Sequence, residues 1–165
     1  MSIQNSMAGS AAGVSANSAI HLGKMAMGRV LAEIKIENLE DLWEADRGMR
    51  NAEDVRQQII ADALVDTGAT LLSLPTSLIQ QLGLKQISTR RIRTATGPAE
   101  AMMYSAVRFT IQGRDGKLDV MEVPDDVPVL IGQIPLEMLD FVVDPGGQRL
   151  IGNPAHGGEW VHELY

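Results

Sequence analysis

No cysteine occurs in this chain of 165 residues, so disulfides, thiolate catalysis and cysteine-based zinc sites are excluded. Basic charge is also short: 14 Lys and Arg against 21 Asp and Glu leave a net charge of -7. A nucleic-acid partner needs a basic face for its phosphates, so none is expected. Arg90, Arg91 and Arg93 do cluster, and they read as a solvated strand or turn. Histidine is scarce. His21, His156 and His162 lie near the two ends without ligand spacing, read as solvated tail residues, and give no reason to expect a metal. No apolar run approaches the ~20 residues of a membrane span, so no membrane partner is expected. The first 27 residues hold Lys24 as their one charged side chain, with neither the basic start nor the apolar block of a secretory signal. They read as a disordered tail of a cytoplasmic protein, with Met25 or Met27 as an alternative natural start.

What is present is a globular composition, 45% hydrophobic and 21% charged, long enough for one domain with a real core. That domain is expected over residues 28–154, with a C-terminal tail at 155–165. From Gly28 to Asn38, Val30, Ala32, Ile34 and Ile36 alternate with polar positions, the period of a half-buried strand. Leu39 to Asp54 is acidic and irregular and reads as a connecting loop with room for one helical turn. A second strand runs from Val55 to Val65. Pro75 to Leu82 reads as a short helix closed by Gly83. Strands follow at Ile87–Thr94, Ala101–Gln112 and Lys117–Val123, the first two joined by a turn at Ala95–Pro98. After Pro124-Asp125-Asp126 come Val127–Gly132, a short helix from Gln133 to Leu139, and a hairpin across Asp144-Pro145-Gly146-Gly147. Many short strands, two short helices and closely spaced turns indicate a mainly β barrel or sandwich.

The chemistry concentrates at Asp66-Thr67-Gly68-Ala69. The acid ends the apolar run Ala63-Leu64-Val65, where a carboxylate loses hydration. Gly68 permits a sharp turn, and the Thr67 hydroxyl can fix the loop by bonding a backbone group. Such an acid can activate water as a general base if its pKa is tuned. One carboxylate is a poor catalyst of amide hydrolysis. Two sharing a proton supply a base and an acid, because like charges that close cannot both ionise. Asp62, on the same strand face, reads as an unrelated surface acid. Asp125-Asp126 lacks the oxygen-ligand spacing of a calcium loop and reads as a solvated turn.

Ala63-Leu64-Val65-Asp66-Thr67-Gly68-Ala69-Thr70, with Leu72 and Leu74 beyond, resembles the active-site signature of the aspartic peptidases. Val129-Leu130-Ile131-Gly132 before a helix resembles the apolar segment that braces the catalytic loop in those enzymes. Order and spacing are similar to the retropepsin-like single-lobe members, above all the small bacterial and archaeal ones. The resemblance covers about Gly28 to Pro154. It implies a single-lobe pepsin- or retropepsin-like acid protease barrel acting as a homodimer.

It further implies that Asp66 is the catalytic carboxylate, that Thr67 ties the two subunits' loops together, and that Gly68, with Ala69, contacts substrate backbone. Ile131 and Gly132 would form the bracing loop, and Ala95, Thr96, Gly97 and Pro98 a flap. Met102, Met103 and Tyr104 would line an adaptable apolar pocket, although the methionine pair reads first as core. Two departures stand out. Viral members carry an acid four residues after the catalytic one and an arginine after the bracing glycine, an ion pair that supports the dimer. Here those positions are Thr70 and Gln133. The turn at Gly97 has a single glycine, fewer than an evidently mobile flap. The expectation is an aspartic endopeptidase acting on peptide or protein substrates without a cofactor. The alternative is a weak or inactive peptide-binding or dimerisation module of the same fold.

Overall fold

The computed structural model describes residues 29–144 and 146–161, so the expected tail at 1–27, with His21, and His162 lie outside the described residues. Strand β1 (Val30–Asn38) pairs antiparallel with β2 (Gln57–Val65). The alternation foreseen for β1 is met where it matters: Val30, Ile34 and Ile36 are buried while Leu31 and Glu33 face outward. Seven strands run in the order β1-β2-β7-β3-β6-β5-β4, formed by β3 (Leu72–Pro75), β4 (Gln86–Thr94), β5 (Gly97–Ile111), β6 (Arg114–Val123) and β7 (Leu130–Ile131). Strand β5 is long enough to return to β1, pairing Lys35 with Thr110 through to Asn38 with Val107. That pairing closes six strands into a barrel and leaves β4 as a flanking edge. The expected mainly β single-lobe barrel is therefore the fold.

Closure explains burial that alternation alone does not give. Glu37 and Asn38 are neighbours in sequence, yet both are buried because β5 covers the end of β1. Arg108, opposite Glu37, meets its carboxylate with two bonds of 2.9 and 3.1 Å. The barrel interior is filled by Ile34, Ile36, Leu72, Leu74, Phe109 and Ile131. Each such side chain contributes about 1.5–3 kcal/mol by leaving water.

Among the described residues there are three α-helices rather than two. The additional one, α1 (Leu39–Asp46), occupies the segment read as a connecting loop. Its signal lies in Asn38, whose side chain accepts the Asp41 N–H at 3.1 Å and donates to the Leu82 carbonyl at 2.8 Å. Glu40 and Asp41 in the first turn suit the helix dipole. Asp41 is buried and accepts the Arg56 backbone N–H and, from one edge of its guanidinium, the Nε and Nη2 hydrogens at 2.8–3.0 Å. Bonding to Arg56 holds the Asp41 carboxyl below its usual range against the opposing effect of burial.

Helix α2 (Thr76–Gln81) follows β3 at Pro75, which has no capping side chain. Asp125 supplies the cap from across the fold, accepting the Ser77 N–H at 2.8 Å. The acid read as merely solvated thus has a structural partner. Gly83 closes the helix at φ +63°, as expected. After α3 (Gln133–Met138), β8 (Phe141–Asp144) and β9 (Arg149–Gly152) form a two-stranded sheet.

His156, read as a solvated tail residue, is instead half-buried: its Nδ1 lies 2.6 Å from Asp140 Oδ2. Its short turn (Pro154–His156) follows β9 directly and folds back onto the α3–β8 junction. His156 is the main reason the Asp140 carboxyl titrates below its usual range. Trp160 Nε1 donates to the Met138 carbonyl at 3.3 Å, holding the next residues to the same surface.

Candidate active site

The residues singled out around Asp66 come together through strand β7. It lies parallel to β2, with Leu64 opposite Leu130 and Val65 opposite Ile131. It also lies antiparallel to β3, with Leu72 opposite Ile131 and Ser73 opposite Leu130. The short strand therefore wedges between the strand that delivers Asp66 and the strand that leaves its loop. Leu64 N–H reaches the Val129 carbonyl at 2.8 Å, and Asp66 N–H reaches the Ile131 carbonyl at 3.0 Å.

Beyond β7 the bonds reverse direction. The N–H groups of Gly132, Gln133 and Ile134 donate to the carbonyls of Leu71, Ala69 and Thr70 at 3.1, 2.9 and 2.9 Å. A helix start leaves its first N–H groups without intrahelical partners, and α3 has no capping side chain. The loop after Asp66 fills that role. One set of bonds caps the helix and fixes the loop.

Gly132 is required by close approach. A Cβ there would lie 2.5 Å from the Leu71 oxygen, 2.7 Å from the Thr70 carbonyl carbon and 2.8 Å from the Ala69 oxygen. All three are backbone atoms of the loop. Its φ of -84° is open to any residue, so the constraint is steric rather than conformational.

Within the loop, Asp66 folds back on its own chain. Its Oδ1 accepts the Gly68 N–H at 2.9 Å, and its carbonyl accepts the Ala69 N–H at 3.0 Å. This turn sets the plane of the carboxylate, and Asp66 as a residue is 5% exposed. Thr67, Gly68 and Thr70 are exposed around it, and Ala69 is half-buried. The result is a buried acid with fixed orientation, ringed by small residues that leave room above it.

Beside the loop lies a cavity of about 340 Å³, lined by Gly68, Ala69, Thr70 and Leu71 on the loop, and by Ile92, Arg93 and Met121 opposite; Asp66 itself is not part of its wall. Ile92 and Arg93 belong to β4 and Met121 to β6, so the β4–β5 hairpin forms the far wall. None of these three is marked for the site by sequence, where Arg93 reads as part of a solvated cluster, since the register that places them depends on pairing between distant strands.

Ala95 and Thr96 form the two-residue tip of that hairpin, between the paired Thr94 and Gly97. Ala95, Gly97 and Pro98 border a separate hollow of about 370 Å³ with Arg93 and Thr94. Met102, Met103 and Tyr104 do not form the expected pocket. Met103 is in the core, Met102 faces solvent, and the Tyr104 hydroxyl donates to Glu122 at 3.3 Å. Strand alternation separates the two methionines, and only Met121 reaches the cavity. A larger hollow of about 560 Å³, walled by Leu31, Ile59, Thr110 and Arg149 among others, contains no residue of the Asp66 loop, so volume alone does not mark the site. At the positions of the viral ion pair, the Gln133 side chain bonds Glu137 at 3.0 Å and Thr70 engages Ile134 through its carbonyl.

Residues 54–134 match the family described as aspartyl protease. No curated protein matches the chain. Among solved structures, the simian foamy virus (mac) protease, determined in solution, is similar at 21% identity and a TM-score of 0.41, covering 66% of this chain and 93% of that chain. The family match spans the Asp66 loop, the β4–β5 hairpin, β7 and the start of α3. It supports a retropepsin-like aspartic peptidase.

Proposed function

We propose that this retropepsin-like chain is an aspartic endopeptidase that works as a homodimer, with Asp66 of each subunit facing the other across one water. The observation that carries the reading is the buried Asp66, oriented by the Gly68 N–H at the head of a loop whose residues 68–71 line a cavity. One chain offers one such acid, and the chemistry needs two. A two-fold axis beside the loop supplies the second with no further sequence, and isologous dimers are the commonest oligomers.

In the pair, one carboxylate is ionised and the other holds the shared proton, the pattern of aspartic proteases as a class. The ionised member removes a proton from water as its oxygen attacks the peptide carbonyl carbon. The protonated member gives its proton to the carbonyl oxygen. The tetrahedral intermediate then collapses: the carboxylate left ionised takes a proton from one of its hydroxyls as the C=O re-forms, the C–N bond breaks, and the amine nitrogen leaves with the proton held by the other carboxyl. Thr67 would tie the two loops together, and Gly68 and Ala69 would meet the substrate backbone. Ile131 and Gly132 hold the loop through the bonds already described, and Ala95–Pro98 would act as the flap tip.

A second reading, a peptide-binding or dimerisation module with little turnover, draws on Thr70 and Gln133 replacing the viral ion pair. Cleavage of an unfolded protein at mildly acidic pH separates the two. Wild type should exceed Asp66→Asn by about 10³-fold or more, the scale of losing a central catalytic group. Its activity per subunit should fall on dilution as dimers dissociate. Equal background in both proteins, with no binding of a statine inhibitor, would refute the peptidase reading.

A further inference from the structure

Four arginines of the described chain, Arg50, Arg56, Arg108 and Arg149, each meet a carboxylate. Among the described residues, the three on β4 have no ion-pair partner, and all three are exposed. Strand pairing sorts them. Arg91 lies opposite Glu100, which offsets its charge across the hairpin. Arg90 lies opposite buried Ala101, on the same pleat face as Ile92, a residue of the wall facing the Asp66 loop. Arg93 itself lines that cavity. Alternation sets Arg90 and Arg93 on opposite faces of β4, so one arginine without an ion-pair partner among the described residues, Arg93, borders the cavity.

We propose that Arg93 makes this cleft select peptides that carry a carboxylate beside the bond presented to Asp66. The proposal rests on the peptidase reading and names its substrate class. Arginine suits the task because its planar fork takes a carboxylate with two parallel bonds. Overall charge cannot produce the same preference. A chain of net charge -7 attracts basic peptides through its total field, so selection of acidic ones has to come from a local positive wall.

The test digests an unfolded protein with the full chain and identifies the cut sites by mass spectrometry. An Arg93→Gln variant and an Arg93→Lys variant are run beside it. The position is exposed, so both variants should fold. Asp and Glu should be enriched about fivefold in the residues flanking the cuts, the preference one exposed ion pair can supply. The Gln variant should lose the enrichment and the Lys variant keep it. At about 0.5 M salt, where charges are screened beyond about 4 Å, it should weaken.

Cut sites without acid enrichment, or with equal enrichment in the Gln variant, overturn the proposal while leaving the peptidase reading intact. If wild type cuts no better than Asp66→Asn, the peptidase reading falls instead. The arginine wall is then decided by anisotropy with a labelled Glu-rich peptide and its Gln counterpart. Tighter binding of the Glu peptide by wild type but not by the Gln variant supports it, and equal binding overturns it.

Discussion

Gly132→Ala isolates the contact that joins the bracing strand to the Asp66 loop. The added methyl would meet three backbone atoms of residues 69–71 at 2.5–2.8 Å, where ordinary contact begins near 3.4 Å. None of the three is a flexible side chain that could turn aside. The loop has to retreat by more than half an ångström at its closest point. That retreat lengthens the bonds from Gly132, Gln133 and Ile134, now 2.9–3.1 Å, toward or past the useful range. Overpacking costs about 1–3 kcal/mol, and weakening these bonds about 1 kcal/mol more in total. The expected destabilisation is therefore about 3 kcal/mol, a fall in Tm on the order of 10 °C for a domain of this size.

The assay is urea unfolding at fixed protein concentration, with the slope checked against wild type so that only stability is compared. Gly113→Ala is the matched control. It has φ +78° and nothing within 4 Å of a new Cβ, so it pays only backbone strain of about 1 kcal/mol. Peptide cleavage should also drop about 100-fold in Gly132→Ala, the cost of moving a catalytic group by roughly an ångström. If Gly132→Ala is no less stable than Gly113→Ala, the steric account of the bracing contact is wrong.

Three further outcomes are expected. Asp41→Asn should cost about 2 kcal/mol, below the roughly 3–5 of a fully buried pair because Arg56 is half exposed. Since Arg56 depresses the native Asp41 pKa, this stabilisation is present above the ordinary carboxylate range and lost as pH falls through the depressed value, so the variant's stability should decline less steeply in acid than wild type's. Asp125→Ala should lower stability by about 1 kcal/mol through loss of the cap on the Ser77 N–H, read by the same unfolding curves. Ser73→Ala should be neutral or stabilising by up to about 1 kcal/mol, because the buried Ser73 hydroxyl has no hydrogen-bond partner among the described residues; a clear loss of stability would show a partner the geometry does not.

Local chemistry was legible wherever the determining contacts lie close in sequence. The alternation of β1, the Gly83 helix stop and the turn at the tip of the β4–β5 hairpin all follow from neighbours within a few residues. Helix α1 lacks a periodic signal because its apolar positions are sparse, although Asn38 followed by two acids is a start signal in its own right. Asp125 and His156 looked solvated because their partners, Ser77 and Asp140, are brought to them only by the fold.

Contiguous residues alone carry the mainly β pattern and the Asp66 motif, because the apolar strand, the acid and the small residues after it adjoin. Tertiary structure decided what surrounds that acid. It set β7 parallel to β2, turned the start of α3 into a clamp on residues 69–71, and put Ile92, Arg93 and Met121 across the cavity. Those relations depend on which distant strands pair and in what register. A periodic pattern states which face of a strand is buried, but it does not state what will cover it.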